Sequence, residues 1–239
     1  HGFHFHELNG ALKNAGFLAL EKLAGQWTDR LVLINEYDVE QARTHRIVAE
    51  DSIVYMHGIG IDTSRYDPAD VPESAAAEVR EELGLGGEPL FIVPAEFIPR
   101  KRQELVVQAL ADADRGDLNV AFVGNGPTLP KVRQRARMLG VDKQTHFLGF
   151  RSDMPRLMKA ADATILYSRQ EGLSRSVMES LAMERPVIGS DIRGIRELIA
   201  GGCGVAVDPD RPDVLAQAMA LVADDPEWVE FMGRLGREK

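Results

Sequence analysis

The chain has 239 residues, 44% hydrophobic and 27% charged, which is the composition of a globular protein with room for one large or two smaller domains. Its formal charge of −9 argues against a nucleic-acid-binding surface, and no apolar run approaches the roughly 18 to 20 residues of a membrane-spanning helix, so it reads as soluble. A single cysteine, Cys203, rules out an intramolecular disulfide and suits a reducing cytoplasm.

The sequence starts at His1-Gly2-Phe3-His4-Phe5-His6 without a Met and so reads as part of a longer protein. His1, His4, His6 and Glu7 have the donor chemistry of a zinc site, because a His-x-His strand points both rings to one side. Leu8, Leu12, Ala15, Ala19 and Leu23 then fall at helical spacing, and Leu31 to Asn35 is a short apolar strand; a first βα layer closes near Tyr55. Asp67-Pro68-Ala69-Asp70-Val71-Pro72-Glu73 reads as an acidic, turn-rich linker into a helix start. We expect residues 1–56 to be a remnant of one Rossmann-like domain, 57–224 a second domain, and 225–239 the start of a helical tail.

From Pro89 onward the alternation is regular, with strands at Leu90 to Ala95, Val120 to Val123, Thr145 to Leu148, Thr164 to Tyr167, Val187 to Gly189 and Val205 to Val207. Helices are predicted between them at Gln103 to Ala111, Leu129 to Leu139, Met154 to Ala160, Ser176 to Met183 and Ile195 to Ile199. Near-continuous apolar strands separated by amphipathic helices imply an α/β fold, a Rossmann-like parallel sheet with helices on both faces. Ligands bind such sheets at the carboxyl ends of the strands. Four motifs sit at such ends.

After the first strand come Arg100, Lys101 and Arg102, three cations opening a helix whose dipole they oppose, which calls for a partner anion. Gly124-Asn125-Gly126-Pro127 is a glycine-rich turn that is neither a Walker motif nor a full dinucleotide fingerprint. Phe147-Leu148-Gly149-Phe150-Arg151 ends the third strand, with Phe150 suited either to ligand contact or to the core. Glu171-Gly172-Leu173-Ser174-Arg175-Ser176-Val177-Met178-Glu179 precedes and opens a helix, so that the N–H groups of Leu173 to Arg175 would face an anion and the two carboxylates would face hydroxyls. A phosphorylated polyol, such as a nucleotide-sugar, suits that combination. Asp112-Ala113-Asp114 and Asp208-Pro209-Asp210 read as surface turns away from the cation cluster rather than as a manganese motif.

The Glu-x7-Glu spacing, with Arg185-Pro186-Val187-Ile188-Gly189-Ser190-Asp191-Ile192-Arg193-Gly194-Ile195-Arg196-Glu197-Leu198 behind it, resembles the donor site of the retaining family-4 glycosyltransferases of GT-B fold, the kind that builds bacterial surface polysaccharides. The resemblance implies transfer of a sugar from a nucleoside-diphosphate sugar, most simply UDP-linked, to a saccharide or polyprenyl-linked acceptor. It implies no metal or other cofactor and no nucleic-acid partner, with work done in the cytoplasm at the inner membrane face and peripheral membrane contact through a missing amino-terminal domain. It assigns catalytic roles to His1, Lys101 and Glu171. Arg100, Gly124, Gly126, Phe150, Arg151, Gly172, Leu173, Ser174 and Glu179 become substrate-binding residues. Family members carry an Arg about five positions before the Lys; Glu96 stands there, and Arg100 is the substitute. This chain alone, lacking most of an acceptor domain, would be inactive. A nonhydrolysing UDP-sugar 2-epimerase, a silent nucleotide-sugar-binding module and a zinc hydrolase built on the His cluster each fit part of the same pattern.

Overall fold

The computed structural model describes residues 3–5, 9–56 and 60–239, so His1, His6 and Glu7 lie outside the described residues. The chain divides into two compact units at Gly60 and Ile61. In the first, helix α1 (Ala11–Gly25) precedes strand β1 (Leu31–Leu33), helix α2 (Glu36–Thr44) and strand β2 (Ile53–Tyr55). The two strands pair in parallel, Leu31 opposite Ile53, and Phe3, Phe5, Leu33, Val39, Ala42 and Ile47 form the core. Asn35 starts α2 by accepting the Asp38 N–H at 2.8 Å, an N-cap that ends the predicted strand at Leu33.

In the second unit, helix α3 (Glu73–Glu82) leads into β3 (Leu90–Pro94), α4 (Gln103–Asp112), β4 (Asn119–Val123), α5 (Leu129–Met138) and β5 (Thr145–Gly149). Then come α6 (Met154–Ala160), β6 (Ala163–Leu166), α7 (Arg175–Ala182), β7 (Val187–Ser190), α8 (Arg196–Ile199), β8 (Gly204–Val207), α9 (Pro212–Asp224) and α10 (Pro226–Glu238). The six strands are all parallel in the order β5-β4-β3-β6-β7-β8.

Both faces of this sheet are covered, and the pleat shows how. Phe91 and Val93 of β3 join the core beneath α4 and α9, whereas Leu90 and Ile92 join the one beneath α3 and α6. Each such side chain is worth about 1.5 to 3 kcal/mol when fully buried, which is why the strands read as unbroken apolar runs. The segment from Asp67 to Glu73 is packed rather than free: Tyr66 and Val71 are buried, and the Lys159 ammonium donates to the carbonyls of Pro68 at 2.9 Å and Val71 at 2.7 Å. Together these features give the α/β architecture expected from the sequence, a Rossmann-like parallel sheet with helices on both faces.

Candidate functional site

The strand order is that of a doubly wound sheet whose chain starts at β3, works outward to β5, and returns to β6 on the other side. Connections after β3 and β6 therefore leave in opposite directions and open a crevice at their carboxyl ends. The Arg100-Lys101 and Glu171 loops meet there. Lys101 Nζ lies 2.6 Å from one Glu171 carboxylate oxygen and Arg100 Nη1 lies 3.3 Å from the other. The Lys101 and Glu171 side chains are only 11% and 8% exposed. Arg100 also donates to the Gln170 carbonyl at 3.2 Å, and the Arg169 N–H donates to the Arg100 carbonyl at 2.8 Å, so the two loops are laced together.

The cation cluster thus finds its anions within the protein. Arg102 turns away from the crevice to Asp210 Oδ1 at 2.8 Å and the Pro209 carbonyl at 2.6 Å. This corrects the placing of Asp208-Pro209-Asp210 away from the cluster, although the segment is a turn as expected: Asp208 accepts the Asp210 N–H at 2.8 Å. Among the described residues no group of three or more His, Cys, Asp or Glu side chains is placed to hold a metal. His4 stacks on Phe17 beside Glu21.

Helix α7 starts at Arg175, one residue before the predicted Ser176, and the Ser174 N–H, expected among the open donors, is used by the Gly194 carbonyl at 3.3 Å. Its open donors are therefore the N–H groups of Arg175, Ser176 and Val177. Ser174, 4% exposed, occupies the N-cap without capping; its hydroxyl lies 3.1 Å from that of Ser176. The first turn carries no acid, so these N–H groups and the dipole favour an anion. Gly194 shapes the Glu171-Gly172 turn beneath them. It has φ +80°, and a Cβ there would sit 2.2 Å from the Gly172 carbonyl oxygen. The sequence reading gave Gly194 no role, although a Gly between Arg193 and Ile195 in a strand-to-helix loop is the available signal of a close backbone approach.

Glu179 lies on α7 with its side chain 14% exposed and 3.4 Å from Arg175. Gly124 and Gly126 stack the β4 loop on the β3 loop: with φ of 143° and 151°, their missing Cβ atoms would strike the Ala95 and Phe97 carbonyl oxygens at 2.2 and 2.4 Å. Backbone packing accounts for both glycines. Phe150 is 79% exposed, which removes the core alternative. Arg151 is committed to Asp153 at 2.8 Å and Glu82 at 2.6 Å, pairs that raise the guanidinium above its ordinary range and, from the other side, lower the Asp153 carboxyl. Phe150 and Arg151 stand at the end of β5, two strands from β3. His1 lies outside the described residues.

Residues 76–239 match the family model described as glycosyl transferases group 1. The glycosyltransferase EpsD of Bacillus subtilis is 32% identical over the whole of this chain and 63% of its own length. A GDP-mannose-dependent phosphatidylinositol monomannoside mannosyltransferase of Mycolicibacterium smegmatis is 27% identical over 98% of this chain and again 63% of its own. The chain spans about two thirds or less of these relatives. Among solved structures, Anabaena HepE in complex with UDP superposes with a TM-score of 0.86 at 19% identity, over 99% of this chain and 65% of that one. With the fold, the loops at the switch point and these relatives in agreement, the chain belongs to the group 1 glycosyltransferases.

Proposed function

We propose that the chain is the donor-binding part of a retaining glycosyltransferase that takes a sugar from a nucleoside-diphosphate sugar, UDP-linked, to a saccharide or polyprenyl-linked acceptor in polysaccharide assembly. The observation that carries this reading is the Lys101–Glu171 pair at the β3/β6 crevice, beside the uncapped start of α7. The diphosphate lies against Lys101, Arg100 and the N–H groups of Arg175 to Val177, Glu171 orients the sugar hydroxyls, and Glu179 accepts from the ribose. Gly124, Gly126, Phe150 and Arg151 border the nucleotide, and Gly172, Leu173 and Ser174 shape the turn under it. As the bond from sugar to phosphate breaks, negative charge grows where these cations and dipoles already point, which lowers the barrier rather than merely tightening binding. Protein charge replaces a bridging metal. The UDP complex of HepE supports the choice of nucleotide. A polyprenyl-linked acceptor would place the work at the inner face of the cytoplasmic membrane.

The test uses a chain that includes the rest of the enzyme. Proton NMR of the first-formed product is expected to show the donor's anomeric configuration, turnover is expected to survive EDTA, and Lys101→Ala is expected to lower kcat roughly a hundredfold or more. An inverted anomer, loss of turnover on chelation, or full turnover in Lys101→Ala overturns the reading.

A further inference from the structure

Arg102 has φ +51° and ψ +35°, a left-handed conformation that a residue with a side chain adopts only where its surroundings hold it there. It joins the single turn Pro99–Lys101 to the first residue of α4, and its side chain does not cap that helix. The guanidinium instead crosses to the turn after β8, donating to the Pro209 carbonyl at 2.6 Å and to Asp210 Oδ1 at 2.8 Å. That turn is itself anchored. The buried Tyr167 hydroxyl, just past β6, donates to the Asp208 carbonyl at 2.8 Å, and Asp208 accepts the Asp210 N–H at 2.8 Å. On either side of Arg102 the chain is tied as well: the Lys101 N–H donates to the Ile98 carbonyl at 3.0 Å, and the fully buried Gln103 donates to the Glu96 carbonyl at 2.9 Å. Two adjacent side chains thus leave the backbone for different partners, Lys101 for Glu171 at 2.6 Å in the crevice and Arg102 for the β8 turn.

We propose that Arg102 is a positioning residue for diphosphate recognition, its two hydrogen bonds to the turn after β8 holding the left-handed backbone that aims Lys101 into the crevice. Released from them, a strained residue relaxes toward the ordinary regions of φ and ψ, which rotates the peptide it shares with Lys101 and carries the ammonium off its line to the phosphate. The planar guanidinium suits the task because one rigid fork spans both acceptors. The inference rests on the reading that Lys101 meets the diphosphate of the donor. It is tested by calorimetry with UDP on this chain, for the wild type, Arg102→Gly, Arg102→Lys, Lys101→Ala and Lys101→Ala with Arg102→Gly, each shown by urea unfolding to be cooperatively folded.

Arg102→Gly relieves the strain and removes the charge, whereas Arg102→Lys keeps both and cannot span the two acceptors, so the variants share only the loss of the fork. Arg102→Gly is expected to weaken UDP about tenfold and Arg102→Lys about threefold, as for a misplaced contact group. In the Lys101→Ala background Arg102→Gly is expected to cost under about twofold, because it acts through Lys101. Wild-type affinity in Arg102→Gly overturns the proposal. So does wild-type affinity in Arg102→Lys beside a loss in Arg102→Gly, which would mean that charge alone matters, and so does a full loss that persists without Lys101, which would mean that Arg102 acts on the ligand itself. These three outcomes leave the diphosphate reading standing. Unchanged UDP affinity in Lys101→Ala, or no UDP binding by the wild type, removes that reading and this inference with it.

Discussion

Lys101 and Glu171 are 70 positions apart in sequence and form the most buried ion pair at the crevice. Removing one member of a buried pair strands the other, which costs several kcal/mol, whereas replacing both by neutral groups of similar shape costs far less. Arg100 remains 3.3 Å from Glu171 and offsets part of the loss, so Lys101→Met is expected to lower stability by about 1 to 3 kcal/mol and Lys101→Met with Glu171→Gln by much less. Urea unfolding of the three proteins checks this; equal losses in the single and double variants would mean that the pair is not coupled. The residue types were legible in the sequence as a cation cluster and an acidic turn. Their partnership was not, because it follows from the return of the chain to β6 beside β3, and no local pattern encodes that neighbour.

At the scale of elements, the strands of the second unit were legible because burial on both faces leaves each one an unbroken apolar run. Helix α2 was less so: of its nine residues only Asp38, Val39 and Ala42 are buried, too few to print a helical period. Helix α9 went unread despite a Pro at its start and buried Leu215, Ala216, Ala218, Met219 and Val222 at helical spacing. The turns were the hardest, since their geometry is imposed by backbone from elsewhere. Gly194 is the case with most bearing on the site, and Gly194→Ala would drive a methyl group into the Gly172 carbonyl while straining φ. We expect that variant to lose about 1 to 3 kcal/mol of stability and to bind UDP more weakly, by urea unfolding and calorimetry, because the Glu171 turn must move. Wild-type affinity would show that the turn tolerates displacement.

For the molecule as a whole, the site residues described from Arg100 to Glu179 all belong to the second unit, so this unit should respond to ligand by itself. UDP at a hundred times its dissociation constant is expected to add about 2.7 kcal/mol to its stability, which for a domain of 150 to 250 residues raises Tm by roughly 5 to 10 °C. Hydrogen exchange should slow in the loops after β3, β6 and β7 and leave β1 and β2 unchanged; protection spread equally over both units would contradict a donor site confined to the second. Asp67 and Arg237 meet at 2.7 Å, so the first residues of this unit and its final helix share one seam. That tie joins segments 170 positions apart, so a local opening that frees helix α10 would also loosen the segment at Asp67, and the two are expected to exchange amide hydrogens together.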